Sequence, residues 1–214
     1  MIILPSLDIL DYAPRFQFGQ AGVPFSLQKV ACTDTCAQMI IHYFEDQLVS
    51  LNEIRRDSGA VPYGKGLTIT QTLRALELNK VTHYNWATGY NRTFMISRLK
   101  LGPVIASVNY RYYPTWDGHC ATTNKAQSGG KTDCAFNGAH AVLVIGIIPV
   151  YYRGSLSRYD YLVRDPDHNS PSRKEKPPYD RISEAQLKRA MENITYILGW
   201  SYPTIMYPTK KKVL

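Results

Sequence analysis

Residues 29–44 read KVACTDTCAQMIIHYF and carry two cysteines one helical turn apart, Cys32 and Cys36. Cys36, Met39, Ile40, Tyr43 and Phe44 recur at i, i+3, i+4, i+7 and i+8, the spacing of one face of an amphipathic helix. Thr33, Asp34 and Thr35 are good first-turn residues, so Cys32 falls at the N-terminus of that helix and Cys36 inside it. Unsatisfied N–H groups and the positive dipole end favour a thiolate at the first position. A thiol one turn deeper is shielded and behaves as a small hydrophobe. Cys32 is therefore the candidate nucleophile, with a packed core thiol as the plainer alternative, and Cys36 is read as core.

A cysteine nucleophile needs a base. Of five histidines, His42 and His83 sit in helix and loop surroundings without an apolar approach, and His119 and His168 lie in long loops. His140 follows Asn-Gly-Ala and opens the strongest apolar run of the chain, HAVLVIGII, which should place its backbone rigidly. If that strand pairs with residues 158–165 as an antiparallel hairpin turning near Arg153-Gly154, Asp165 falls opposite His140. A carboxylate there can accept the imidazole Nδ1–H and fix its tautomer. Pro166 ends the strand just after Asp165, and the rival Asp167 lies beyond it in loop. Cys32, His140 and Asp165 thus form a candidate triad.

The elements that must hold these residues are a helical first half and a strand-rich second half. Ser50 with Glu53, Thr68 with Gln71, and Ser183 with Gln186 have the spacing of capping boxes. They predict short helices over 51–57, 69–78 and 184–192. Strands are expected over 103–110, 140–148 and 159–164, which are rich in β-branched and aromatic residues. Segments 111–139 and 166–181 remain as long loops, and loops of that length in a compact domain usually bind or cover something.

The chain has 214 residues, 44% of them hydrophobic and 20% charged, enough for one domain with a real core. A net charge of +8 favours an acidic partner, but the basic residues are scattered, apart from SRKEK at 172–176 and the KKK run at 210–212. Nucleic-acid binding is not expected, since YNRTF and NYRYY are weak basic-aromatic signals and serve peptides or sugars equally well. No apolar run approaches the roughly 18 residues of a membrane span. The opening MIILPSLDILDY lacks a basic n-region and is not a signal peptide. GKG at 64–66 lacks the phosphate-loop pattern. Cys32, Cys36, Cys120 and Cys134 fit a zinc site poorly, because structural zinc cysteines come in tight pairs. Cys120 and Cys134 are either a disulfide closing the loop CATTNKAQSGGKTDC or two free thiols.

Taken in order, VPFSLQ, ACTDTCAQMIIHYF, LGPVIASV, GAHAVLVIGI, YLVRDPD and ISEAQLKRAM resemble the papain-like cysteine peptidases related to those that process bacteriocin leaders. The resemblance spans about residues 22 to 192. It implies a papain-like α+β fold, with a nucleophile helix packed on an antiparallel sheet, as a single domain over 1–214. Residues 1–21 are then an N-terminal extension, 111–139 an inserted loop and 193–214 a C-terminal extension. It further implies Cys32 as nucleophile, His140 as general base and acid, Asp165 as its orienter, and Gln28 as oxyanion donor, with no metal or organic cofactor. Gln20 is a distant alternative to Gln28. Thr33 stands where the family commonly has Gly, and Gln28 lies closer to the cysteine than is usual.

The expected reaction is hydrolysis of a peptide or amide bond. Tyr112, Tyr113 and Trp116 in the inserted loop offer flat apolar faces and Lys125 and Lys131 positive charge, which suits bacterial wall peptides. A phage virion enzyme, or an effector exported without a Sec signal, would have such an activity. A cytoplasmic or virion-maturation protease is the alternative within the enzyme class. An inactive papain-like module in a larger assembly is the alternative outside it.

Overall fold

The computed structural model describes residues 2–3, 31–60, 66–109, 112–113, 139–166, 180–194 and 203–212. Among them five helices and seven strands occur. The helices are α1 (Cys32–Glu45), α2 (Leu51–Ser58), α3 (Ile69–Leu78), α4 (Arg92–Leu99) and α5 (Glu184–Glu192). The strands are β1 (Ile2–Ile3), β2 (Tyr84–Thr88), β3 (Val104–Asn109), β4 (Ala139–Tyr152), β5 (Ser155–Arg164), β6 (Asp180–Ser183) and β7 (Thr204–Pro208).

All seven strands join one sheet in the order β2-β7-β3-β4-β5-β6, with β1 also on β4 and every pairing antiparallel. Strand alternation sends Ile105, Ala141, Leu143, Ile145, Leu162 and Met206 to one face, where they pack with α1, α2 and α3. It sends Val104, Ala106, Val108, Val142, Val144 and Val163 to the other, under α4 and α5. Both faces being covered, β3 and the first half of β4 read as nearly unbroken apolar runs.

The three capping boxes form, each with the Ser or Thr side chain accepting the N3 amide and the N3 side chain reaching back. Helices α2, α3 and α5 therefore start where the sequence places them. α4 was not anticipated; Asn91 caps it by accepting from the Phe94 amide. The segment set aside as a C-terminal extension supplies β7, which lies between β2 and β3. Strand β1, within the expected N-terminal extension, pairs with Gly146 and Ile147.

Helix α1 is buried more completely than a single apolar face requires. Its polar stripe of Asp34, Gln38 and His42 is buried as well. Arg55 of α2 pairs with Asp34 through Nε at 2.9 Å and Nη2 at 3.2 Å. Gln38 donates to the Val49 carbonyl. The first turn of α1 is thus clamped to α2 while its apolar face lies on β4. His42, read as a histidine without apolar surroundings, is buried, and His83 packs edge-on against Phe44 at 4.4 Å.

Candidate active site

The chain enters α1 through Ala31, which offers no side-chain cap, unlike Ser50, Thr68, Asn91 and Ser183 at the other four helices. The first-turn N–H groups of α1 are therefore not consumed by a capping oxygen, and Cys32, the first helical residue, sits among them. Cys32 is half-buried, whereas Cys36 is fully buried and points its thiol at the Ala141 carbonyl, 3.7 Å away.

His140 is the second residue of β4 and pairs in register with Val108. Its Nε2 donates to Oδ1 of Asp165 at 2.7 Å, with both side chains buried. The Cys32 thiol hydrogen-bonds the same imidazole. Since Nε2 is engaged by Asp165, Nδ1 is the nitrogen left for sulfur, which reverses the ring orientation expected from the sequence.

The hairpin turns at Arg153-Gly154, both at positive φ, but its register differs from expectation. Leu143 faces Arg164, two positions further along β5 than the expected pairing requires. Extra residues on β4 between Val144 and Gly146, and on β5 between Val150 and Tyr151's partners, interrupt the ladder. Ladder pairing ends at Leu143 and Arg164, and Asp165 meets the imidazole from beyond the end of β5.

These contacts set the charge states. Burial pushes the Cys32 thiol up, yet the hydrogen bond and charge of His140, the Ala141 N–H and the Thr33 hydroxyl outweigh it and hold the thiol below its usual range. Burial pushes His140 down, but the charge and hydrogen bond of Asp165, joined by Cys32, hold it well above the usual imidazole range. The pair therefore favours thiolate and imidazolium. Cys36 shows the contrast: burial, then the charges of Cys32, Asp165 and Asp34, raise its thiol far above the usual range. Two thiols on one helix, four residues apart, are driven in opposite directions.

Other expected site residues fall differently. Tyr113 is buried, in a tilted edge contact with His140 at 6.3 Å between ring centres, and packs in the core under α4 and α5. It offers no exposed face to a substrate. Tyr112 is half-buried with the Arg189 guanidinium over its ring at 5.1 Å. Gln28, Gln20, Trp116, Lys125, Lys131, Asp167, His119, His168, Cys120 and Cys134 lie outside the described residues. The sequence reading missed the Asp34–Arg55 clamp and the Ala141 amide. An Asp two places after a candidate nucleophile was a usable signal for the first, whereas a backbone donor leaves none.

A helix opening on a cysteine and packed on an antiparallel sheet, with His140 on the central strand, makes this a papain-like α+β fold. A crystal structure from Bacillus anthracis, provisionally described as a C39-like peptidase, has the same fold. It aligns with a TM-score of 0.52 and 16% identity over 89% of this chain and 96% of that one. At that identity the likeness concerns the fold. No protein-family model matches the sequence, and no curated protein matches it.

Proposed function

We propose that the chain is a cysteine peptidase or amidase in which Cys32, His140 and Asp165 act as a triad. The observation that carries this reading is the His140–Asp165 hydrogen bond of 2.7 Å, made by an imidazole whose other nitrogen meets a thiol at a helix N-terminus. Cys32 as thiolate attacks the carbonyl carbon while His140 stands protonated beside it. The Cys32 backbone N–H stabilises the tetrahedral oxyanion, with Gln28 as the proposed side-chain donor, each such donor typically worth ~3 kcal/mol. His140 then gives its proton to the leaving nitrogen, and water activated by the same imidazole hydrolyses the thioester. Asp165 keeps the ring oriented and compensates its charge.

The proposed substrate class is a peptide or amide. Wall peptides were favoured by three aromatic residues, and the burial of Tyr113 removes one of them from that argument. The test incubates purified protein and its Cys32→Ala variant with an unfolded protein and with isolated sacculi, and analyses the products by mass spectrometry. Cleavage of either substrate by wild type alone supports the enzyme, and the substrate cleaved decides between a protease and a wall hydrolase. Identical products from both proteins, or none from either, would favour an inactive binding module.

A further inference from the structure

Strand β4 carries the candidate site at one end and a separate surface at the other. From His140 to Tyr152 it runs about 40 Å at extended-chain rise. Its neighbours stop well short of the far end. β3 reaches only Val144, β1 covers Gly146 and Ile147, and β6 pairs with β5 only from Asp160 to Val163. Among the described residues, 149–159 form a two-stranded ribbon whose ladder partners are only each other.

A solvated ribbon is normally polar, and this one also exposes large apolar side chains. Tyr151 is 64% exposed, Tyr152 65% and Leu156 48%, the largest such cluster among the described residues. Tyr151 stands opposite Leu156 and Tyr152 opposite Ser155, so apolar groups project from both faces of the ribbon. The Arg153 guanidinium lies over the Tyr152 ring at 5.3 Å. Residues 149–159, PVYYRGSLSRY, include two arginines and no acidic residue. At the base Arg158 and Arg181 share Asp160, each at 2.8 Å, and Arg92 pairs with Glu184 at 2.7 Å while lying over Tyr159. Arm and base together therefore present four arginines against two carboxylates.

We propose that this hairpin is a docking arm that seats its tip in the headgroup layer of an anionic bilayer. A flat protein surface would cover one face of the ribbon and leave the other wet, whereas a headgroup layer surrounds both. Tyrosine rings with hydroxyl tips, a leucine and arginines with apolar stems are the side chains that partition to that layer. The positive arm and the net charge of +8 select an anionic surface over a neutral one. The two-residue turn, with Arg153 at φ 50° and Gly154 at φ 80°, keeps the tip narrow enough to enter. Docked in this way, the arm holds Cys32 and His140, beside the opposite end of β4, away from the bilayer. The inference does not depend on the chemistry proposed above.

The test is co-sedimentation of the whole chain with vesicles of equal parts phosphatidylglycerol and phosphatidylcholine, and with vesicles of phosphatidylcholine alone. Wild type is expected to bind the anionic vesicles, with partition lowered about tenfold or more by Tyr151→Ser/Tyr152→Ser/Leu156→Ser and about fivefold by Arg153→Ala. Melting temperatures close to wild type would establish that these exposed substitutions leave the fold intact. Absence of binding to anionic vesicles would overturn the proposal, as would equal binding by the triple-serine variant, which would assign any affinity to net charge alone. Equal binding to neutral vesicles, or hairpin-dependent retention on polyglutamate without vesicle binding, would overturn it too.

Discussion

Replacing Arg55 by Met keeps most of the side-chain volume and removes the only described cation on a fully buried carboxylate, Asp34. Burial raises the Asp34 carboxyl to about 6 even with Arg55 opposing the shift through charge and hydrogen bond. A carboxyl raised from its unfolded value favours folding while protonated, a contribution fully present below pH ~4 and lost as pH rises to about 6 in wild type. Without Arg55 the folded carboxyl stays neutral to higher pH, so the variant goes on losing about 1.4 kcal/mol per pH unit above 6. At pH 5 the variant should be weaker by ~1 kcal/mol, a lost hydrogen bond to a mostly neutral group. At pH 8 two further units bring the deficit to ~4 kcal/mol, within the range for breaking a buried ion pair. Urea unfolding at the two pH values measures both figures. The double variant Asp34→Leu/Arg55→Met should recover to within ~1 kcal/mol of wild type at either pH. An equal deficit at pH 5 and pH 8, or one below ~1 kcal/mol at pH 8, would refute the reasoning.

Three further outcomes are expected. Gly102→Ala places a Cβ 2.7 Å from the Phe44 ring, itself wedged against His83 and Tyr84, and should cost about 1–3 kcal/mol by thermal or urea unfolding. Cys36→Ala should lower stability by ~1 kcal/mol but leave the alkylation rate of Cys32 within about twofold, because the Cys36 thiol is a packed neutral group. Asp165→Asn removes the charge that holds His140 up, so the imidazolium gives Cys32 less support and the pH at which Cys32 alkylation becomes fast moves to a higher value; an unchanged profile would show that Asp165 does not act through the ring.

Local signals carried much of the fold, and long-range ones did not. Ser50, Thr68 and Ser183 each announce a helix within four residues, and all three helices begin there. α4 escaped notice because Asn91 has no Glu or Gln partner at N3 and only Met95 and Leu99 of the helix are buried. β7 escaped because TIMYP is only five residues long, follows Pro203 and ends in Pro208, and its partners lie some hundred residues earlier in β2 and β3. The β4–β5 register was misjudged by two positions, although the turn residues were the right ones. At the site, residue type and order brought Cys32, His140 and Asp165 into one group. The ring's orientation depends on packing between elements that no spacing encodes, and Asp34 signalled a buried carboxylate near Cys32 without naming Arg55 as its partner. Tyr113 was misjudged because an aromatic in a long loop reads as exposed, and here it fills the core beside His140.

The central claim is that His140 keeps Cys32 as a thiolate. Its most direct test is the rate at which iodoacetamide modifies Cys32 at pH 6, located by peptide mass spectrometry, in wild type and in His140→Ala. The account predicts rapid labelling of Cys32 in the folded wild type, Cys36 untouched, and a rate at least about tenfold lower in the variant, since His140 is the main influence lowering this thiol. Equal rates in the two proteins, or labelling of Cys36 as fast as Cys32, would contradict it.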